Sequence, residues 1–281
     1  MAEMEFSVLM SVYFKEEPSF LKEALLSIRN QTRRPGEIIL MIDGGISSAL
    51  EQVIDHFKRI NPGLLKTFGI PSSAGLGNAL KLGLNHCQHE IVARMDSDDI
   101  AVPSRFAKQF EFLKNNHDIA IVGSNIEEFN NLPGDLKRYK IMPENETEIV
   151  RYAKYRNPLN HPTIMFRKDA VISSGSYNGD FELFEDYSLF IRMLVQGHKF
   201  HNIQENLLYF RIGDGLANIR RRSGMHYVMK ELKFLKYAYD IKFINLAEYF
   251  NSLIMKIFLR LVPPKIVLWF YKKFLRFKSS A

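Results

Sequence analysis

The chain has 281 residues, 46% of them hydrophobic and 25% charged, which is typical of a folded protein and excludes a disordered or collagen-like chain. Its single cysteine, Cys87, excludes an internal disulfide framework and indicates a reducing compartment. The acidic N-terminus lacks the positive segment of a secretory signal, and no apolar run reaches the ~18 residues of a membrane span, so we predict neither.

Strand and helix patterns alternate through the first hundred residues. Apolar runs of strand length occur at 6–13, 37–42, 65–70 and 90–95, and helical periodicity occurs at 18–30, 48–60 and 79–86. This alternation predicts a parallel sheet with helices on both faces. Cys87 lies at the end of the third helical pattern, which favours a packing or surface role over a nucleophilic one.

Three polar or glycine-rich segments follow the predicted strands. They are Asp43-Gly44-Gly45, Gly75-Leu76-Gly77 and Asp96-Ser97-Asp98-Asp99. Ligands bind such sheets beyond the carboxyl ends of the strands. We therefore expect these segments to converge at one edge.

The pattern changes after residue 100. Helices are predicted at 103–115, 146–155 and 185–197, and strands at 119–126, 163–167, 199–203 and 206–212. This second half predicts a mixed arrangement added to the first sheet.

The acidic run Asp96-Ser97-Asp98-Asp99 offers several carboxylates at a predicted strand end. In extended backbone, Asp96 and Asp98 lie on the same side, with Ser97 turned away. Mg²⁺ and Mn²⁺ prefer carboxylate oxygens together with phosphates, and such a cation stabilises a departing diphosphate. The alternative is that these aspartates cap the following helix.

The segment from Ile91 to Gln109 resembles the donor-site segment of glycosyltransferase family 2. The resemblance extends over about residues 5 to 215, through Ser7–Tyr13, Asp43–Gly45, Gly75–Gly83, His161-Pro162 and Glu185-Asp186. It implies the GT-A fold, a Rossmann-like α/β fold with a mixed, mainly parallel sheet flanked by helices. It also implies a nucleoside-diphosphate sugar donor, Mn²⁺ or Mg²⁺, and inversion at the anomeric carbon.

The resemblance assigns roles on the donor side of the site. Asp98 is the metal ligand, Asp96 a nucleotide contact and second possible ligand, and Asp99 supports them. Asp43 binds the uracil base, with a turn aspartate as the alternative. Gly75 and Gly77 let the backbone approach the nucleotide, although glycines are also ordinary turn residues.

Three cations are candidates for the nucleotide sugar. Lys81 and, by the resemblance, Arg211 are expected near the diphosphate, and Arg94 flanks the acidic run. Alternatively, Lys81 is only a solvated lysine, Arg211 is a charge at a strand edge, and Arg94 only balances the acidic charge.

The resemblance also assigns the acceptor side. Asp186 is the general base that takes the proton of the acceptor hydroxyl, and Glu185 binds or orients the acceptor. His161 lines the acceptor pocket. Alternatively, Glu185 and Asp186 are acidic residues that the helix dipole favours at a helix start, and His161 is a structural histidine.

The net charge of +7 is carried by the C-terminal tail. Residues 249–281 contain seven Lys or Arg and no Asp or Glu, leaving 31 basic and 31 acidic residues elsewhere. Apolar and basic segments on either side of Pro263-Pro264 are typical of helices that lie in an anionic membrane surface. A helical pair packed on the preceding domain is the alternative, and nucleic-acid binding is disfavoured.

We therefore predict a GT-A catalytic domain at 1–217, divided into a nucleotide-sugar half (1–100) and an acceptor half (101–217). A basic amphipathic helical region that associates with membranes follows at 218–281. The chain resembles bacterial enzymes that extend O-antigen or exopolysaccharide units on undecaprenyl diphosphate. This implies β-linked transfer of glucose or galactose from a UDP-sugar to a lipid-linked N-acetylhexosamine, at the cytoplasmic face of the inner membrane.

Two other classes remain open. A binding or scaffold protein that has lost catalysis is one, although Asp98 and Asp186 are both retained. A sugar nucleotidyltransferase is the other, but it would carry a glycine-rich, basic loop where this chain has Tyr13–Glu17.

Overall fold

The computed structural model describes residues 5–213, 224–261 and 277–278. Its strands are β1 (Phe6–Tyr13), β2 (Glu37–Asp43), β3 (Leu65–Ile70), β4 (Ile91–Arg94), β5 (Ile100–Ala101), β6 (Ile119–Phe129), β7 (Arg138–Lys140), β8 (Met165–Arg167), β9 (Lys199–Arg211) and β10 (Phe277–Lys278). Its helices are α1 (Pro18–Arg29), α2 (Ser48–Ile60), α3 (Leu76–His86), α4 (Arg105–Asn115), α5 (Glu146–Ala153), α6 (Lys168–Ser173), α7 (Glu185–Val195), α8 (Met225–Asp240) and α9 (Leu246–Leu261).

All ten of these strands belong to one sheet of order β10-β7-β6-β8-β4-β1-β2-β3, and β9 pairs with β5 and β6. The longer pairings, β1 with β2 and β4, β2 with β3, and β6 with β9, are parallel. The shorter pairings, such as β4 with β8 and β6 with β7, are antiparallel. The predicted mixed α/β sheet flanked by helices is confirmed.

The side chains of β1 point alternately to the two faces of the sheet. Val8, Met10 and Val12 pack with α1, α2 and α4 in one buried cluster. Leu9 points the other way and packs with residues of α3 and α7. Because both faces are covered, the central strands carry mainly buried apolar side chains, and a ligand is expected beyond their carboxyl ends.

The predicted boundaries hold for β1, α2 and β3, and they shift elsewhere for local reasons. α3 begins at Leu76 rather than Ala79 because Gly75, with φ +81°, supplies the turn at its start. The first residues of the predicted strand at 163–167 form part of a short 3₁₀ turn, His161–Thr163. The two late strands are one strand, β9, with Gln204 and Glu205 inserted as a bulge between its pairs with β6.

The described part of the C-terminal region packs on the preceding domain, as in the alternative that the sequence left open. An aromatic cluster joins α7 to α8. The rings of Phe184 and Phe234 are stacked with their centroids 5.0 Å apart, and the ring centroid of Tyr187 lies 4.4 Å from that of Phe234. The predicted tail segment after Pro263-Pro264 lies outside the described residues, apart from β10. Within the described chain, no helix has the length and apolar character needed to cross a membrane.

Candidate active site

The ends of β1, β2 and β4 meet at one edge of the sheet, as predicted. Tyr13 and Asp43, the last residues of β1 and β2, are partners in the parallel register. Leu9 of β1 pairs with Arg94, so β4 ends earlier and leads into the acidic run. The sequence interpretation missed Tyr13, although its aromatic side chain, 42% exposed, lies opposite Asp43.

Asp43 holds the turn that opens α3. Its carboxylate accepts hydrogen bonds from the backbone N–H groups of Ala74 and Gly75 at 2.6 and 3.0 Å, and from the Ser73 hydroxyl at 3.1 Å. Three donors on one carboxylate fix the strand end to the helix start. Contact of Asp43 or Gly75 with a base or nucleotide remains a prediction.

Gly77 lies where α3 meets the start of α7. A Cβ at this position would approach Glu185 Cβ to 3.0 Å, Gly179 Cα to 3.2 Å and the Asn178 carbonyl oxygen to 3.3 Å. The structure therefore gives a reason for glycine here that the sequence did not show, which is close contact between the two halves of the site. Lys81, one turn further along α3, is exposed.

The acidic run forms a compact cluster. Carboxylate oxygens of Asp96, Asp98 and Asp99 all lie within 4.8 Å of one another. None of them caps α4, because Ser104 is the N-cap residue of that helix. The capping alternative is therefore wrong.

Concentrated negative charge perturbs this cluster. Burial, together with the charges of Asp96 and Glu16, raises the pKa of Asp98 from 3.8 to about 7. Burial and the other two aspartates raise the pKa of Asp99 well above its usual value. Asp99 Oδ2 is buried without a hydrogen-bond partner among the described residues.

Arg94 is the buried cation of the cluster. It is 1% exposed, and its Nη2 forms an ion pair with Asp96 Oδ1. Burial by itself lowers the pKa of Arg94, but Asp96 outweighs this effect and the net shift is upward. Nε and Nη1 of Arg94 are buried without a hydrogen-bond partner in the described part of the chain.

Arg211 and Arg105 anchor the acidic run from behind. The Arg211 backbone N–H donates to Asp99 Oδ1 at 2.9 Å, and its guanidinium donates to the Asp98 carbonyl at 2.9 Å and to Glu23 at 2.5 Å. Arg105 donates to the Arg94 carbonyl at 2.7 Å, and burial lowers its pKa to about 9. The expected approach of Arg211 to the diphosphate remains a prediction.

Glu16 is a fourth carboxylate that the sequence interpretation missed. The Ser97 hydroxyl turns away from the aspartates, as predicted, and donates to Glu16 Oε2. Burial, followed by the charge of Asp96, raises the pKa of Glu16 against the lowering effect of the Ser97 hydrogen bond. The loop after β1 thereby holds the middle of the acidic run.

Glu185 and Asp186 form a second acidic group at the start of α7. Asp186 Oδ1 accepts from the Tyr187 N–H, and Oδ2 accepts from Asn157 Nδ2, both at 2.6 Å. Burial and the neighbouring charge of Asp186 raise the pKa of Glu185 from 4.5 to about 7. Asn157 contributes to this group from a polar loop, where the sequence interpretation had named no residue.

His161 lies beside the second acidic group. Its Nδ1 is 4.0 Å from Asp186 Oδ2, and its Nε2 is 3.1 Å from the Tyr177 hydroxyl. Burial, assisted by the charge of Arg94, lowers the pKa of His161 well below 6.5, so the ring is neutral. The structure therefore brings His161 next to Asp186, and its place in an acceptor pocket remains a prediction.

The only cysteine is unsuited to nucleophilic chemistry. Cys87 is buried, and burial raises the pKa of its thiol to about 12. The expected packing role is confirmed.

Comparison with known proteins decides the class. A family model described as Glycosyl transferase family 2 matches residues 7–175. A UDP-Gal:alpha-D-GlcNAc-diphosphoundecaprenol beta-1,3-galactosyltransferase of Escherichia coli is 38% identical over 273 residues, 97% of each chain. The chain belongs to glycosyl transferase family 2. It is therefore a glycosyltransferase, and the nucleotidyltransferase alternative is set aside.

Other similar proteins agree with this family 2 assignment. An amylovoran biosynthesis glycosyltransferase of Erwinia amylovora, AmsE, is 35% identical over 95% of this chain and 98% of its own. The solved mannosyltransferase PcManGT of Pyrobaculum calidifontis, in complex with GDP-Man and Mn²⁺, has a TM-score of 0.64 at 14% identity, covering 95% of this chain and 73% of that one. This likeness supports the GT-A fold.

The aspartate cluster of this glycosyltransferase fits a divalent cation. It offers hard carboxylate oxygens at mutual distances compatible with one ion. The unpartnered Asp99 oxygen and the raised pKa of Asp98 show negative charge that a cation would neutralise. Asp98 and Asp96 are the side chains that would hold it.

Proposed function

We propose that this enzyme transfers a hexose, glucose or galactose, from a UDP-sugar to an N-acetylhexosamine linked to undecaprenyl diphosphate. The product carries a β linkage and serves O-antigen or exopolysaccharide assembly. The observation that carries the proposal is a site with two distinct acidic groups: the cluster of Asp96 and Asp98, and the pair of Glu185 and Asp186. The E. coli galactosyltransferase, similar over 97% of the chain, supports this donor and acceptor.

The donor side is proposed to bind UDP along the ends of β1, β2 and β4. Asp43 accepts from the uracil base, and the exposed ring of Tyr13, its partner in register, gives the base an apolar surface. Gly75 and Lys81 then lie along the path to the diphosphate, beside the start of α3. Asp98 and Asp96 would hold Mn²⁺ or Mg²⁺, and the bound cation would supply Lewis-acid stabilisation of the leaving diphosphate.

Asp186 is proposed as the general base. Asn157 and the Tyr187 N–H each donate a hydrogen bond to one of its oxygens, so the carboxylate has a fixed direction. The acceptor hydroxyl gives its proton to Asp186 as its oxygen bonds to the anomeric carbon. The bond from that carbon to the diphosphate breaks on the opposite face, and its electron pair leaves with UDP, so the configuration inverts.

Glu185 and His161 are proposed to position the acceptor. Glu185 has a pKa of about 7, so it can donate a hydrogen bond as an acid or accept one as a carboxylate near neutral pH. His161 is neutral and fixed through Tyr177, which suits a hydrogen-bonding role toward a sugar. The enzyme is proposed to work as a peripheral protein at the cytoplasmic face of the bacterial inner membrane, where such acceptors are used.

The test is a donor and acceptor screen with purified full-length enzyme and Mn²⁺. UDP-galactose, UDP-glucose, UDP-N-acetylglucosamine and GDP-mannose are each paired with synthetic N-acetylglucosaminyl or N-acetylgalactosaminyl diphospho-lipid. We expect a disaccharide from UDP-galactose or UDP-glucose, with a β anomeric coupling in its NMR spectrum. Transfer only from GDP-mannose, or an α product, would refute the donor or the stereochemistry, and UDP binding without any transfer would favour the scaffold alternative.

A further inference from the structure

Helix α9 differs from the usual surface helix in where its charged side chains and its exposed apolar side chains lie. Its two charged side chains before residue 257 both turn toward the protein. Glu248 pairs with Lys154 at 2.5 Å, and Lys256 pairs with the buried Glu231 at 3.4 Å.

The outward face of the same helix is mainly apolar, with Asn251 as its exposed polar residue between 246 and 256. Leu246, Phe250 and Ile254 follow one another at four-residue intervals and are 54%, 50% and 68% exposed. Met255 beside them is 54% exposed, and no charged side chain occupies an exposed position between 246 and 256. A surface helix normally buries its apolar stripe and solvates its charges, so this contiguous apolar face calls for a partner.

We propose that the face formed by Leu246, Phe250, Ile254 and Met255, here named the α9 face, docks on an anionic lipid bilayer. The sequence that continues from this face contains six further basic residues after Lys256, and no acidic residue occurs from 249 onward. Apolar side chains entering the headgroup region beside lysines and arginines are the arrangement by which helices bind anionic membranes.

The same charge distribution disfavours a second copy of the chain as the partner. A twofold interface through the α9 face would place one face against its own copy. Such a dimer would combine two C-terminal sequences that each carry seven basic and no acidic residues from 249 onward. A bilayer that contains anionic lipid provides both the apolar surface and the opposite charge.

Docking through the α9 face would fix the active site relative to the membrane. The two ion pairs attach α9 to the body of the protein, and Lys256 also lies 5.7 Å from the ring centre of Phe234. Phe234 stacks on Phe184, the N-cap residue of the helix that begins with Glu185 and Asp186. The α9 face is thus connected to Asp186, the proposed base, through one packed aromatic cluster. That membrane docking would place the active site near its acceptor rests on the proposed lipid-linked acceptor.

The test compares the full-length chain with Phe250→Ser/Ile254→Ser and with a matched control, Leu132→Ser/Ile141→Ser. Leu132 and Ile141 are also exposed apolar residues, at 71% and 55%, but they lie outside α9. Flotation uses vesicles of phosphatidylcholine alone and vesicles that also contain phosphatidylglycerol, without donor or acceptor. Transfer is then measured with a short-chain soluble acceptor and with a vesicle-embedded acceptor.

We expect the wild type and the control to float with phosphatidylglycerol vesicles, and the α9 variant to bind them at least about tenfold more weakly. The α9 variant should keep its turnover on the soluble acceptor and lose it on the embedded one. Wild-type flotation by the variant would overturn the proposal, as would a dimer in light scattering that the two substitutions dissociate. Absence of transfer by the wild type in both assays would refute the proposed function, whereas the flotation result would still decide the membrane contact.

Discussion

Replacing Gly77 by Ala tests whether the contact between α3 and α7 sets the geometry of the site. The added methyl would lie 3.0 Å from Glu185 Cβ, closer than ordinary carbon–carbon contact, so the neighbouring atoms must shift by a few tenths of an ångström. The added methyl would also lie 3.2 Å from Gly179 Cα and 3.3 Å from the Asn178 carbonyl oxygen. Both are backbone atoms, so they can move only if the chain around them moves. A shift of about 1 Å near the chemistry can lower a rate about 100-fold, so we expect kcat to fall by about 10-fold for this smaller shift.

The assay separates positioning from nucleotide binding. UDP affinity is measured by calorimetry and kcat by UDP release, and we expect the Gly77→Ala variant to keep UDP affinity. Alanine is favoured over glycine in a helix by about 1 kcal/mol, which offsets part of the packing strain. Gly69→Ala is the matched control, because a Cβ there meets no atom within 4 Å. Equal losses of UDP affinity and rate would instead place Gly77 at the nucleotide, and an unchanged kcat would refute the coupling.

Three further outcomes are expected. Asp186→Asn should lower transfer at least about 100-fold while UDP binding persists, and Asp55→Asn on the remote helix α2 should leave both unchanged; full activity of Asp186→Asn would exclude its role as base. Asp98→Ala should remove the Mn²⁺-dependent part of UDP-sugar binding in calorimetry with and without chelator, and retained metal dependence would move the ligand elsewhere. The folded-state pKa of Glu185, about 7, lies above its unfolded value of 4.5, so its stabilising contribution is present below pH 4.5 and is lost as pH rises through 7. The unfolding free energy of Glu185→Gln, measured by urea titration, should therefore rise relative to that of the wild type as the pH increases from about 5 to 8. We expect a rise of about 1–2 kcal/mol after allowance for partial exposure. A difference between the two proteins that does not change with pH would contradict this.

The first half of the fold could be predicted from sequence because its signals are local. β1 and β3 are short runs of strand length, α2 has helical periodicity, and α2 begins after a Ser47 cap that accepts from the Leu50 N–H at 3.3 Å. The late strands were harder, because the bulge at Gln204 and Glu205 interrupts the period-two pattern of one continuous strand. Helix α8 was not located residue by residue, because its buried face depends on aromatic partners in α7 that are distant in sequence.

The site could be predicted where a motif ends a strand. Asp43 and the aspartates at 96–99 were found because parallel strands bring their carboxyl ends together. Glu16 and Asn157 were missed, since each lies in a polar loop without periodicity and is recruited by one tertiary hydrogen bond, to Ser97 and to Asp186 respectively. Arg211 was expected at the diphosphate, but no sequence pattern predicted its hydrogen bonds to the acidic run.

Arg94 acts electrostatically on both acidic groups, but its direct ion pair is with Asp96 of the aspartate cluster. Arg94 pairs directly with Asp96, which suits a group that handles a diphosphate and its cation. Asp186 accepts from the Asn157 amide and lies beside His161, a histidine that burial keeps uncharged. An adjacent imidazolium would stabilise the carboxylate and make it a weaker base. A neutral His161 is therefore compatible with the proposed role of Asp186 as the base, whereas an imidazolium would oppose it.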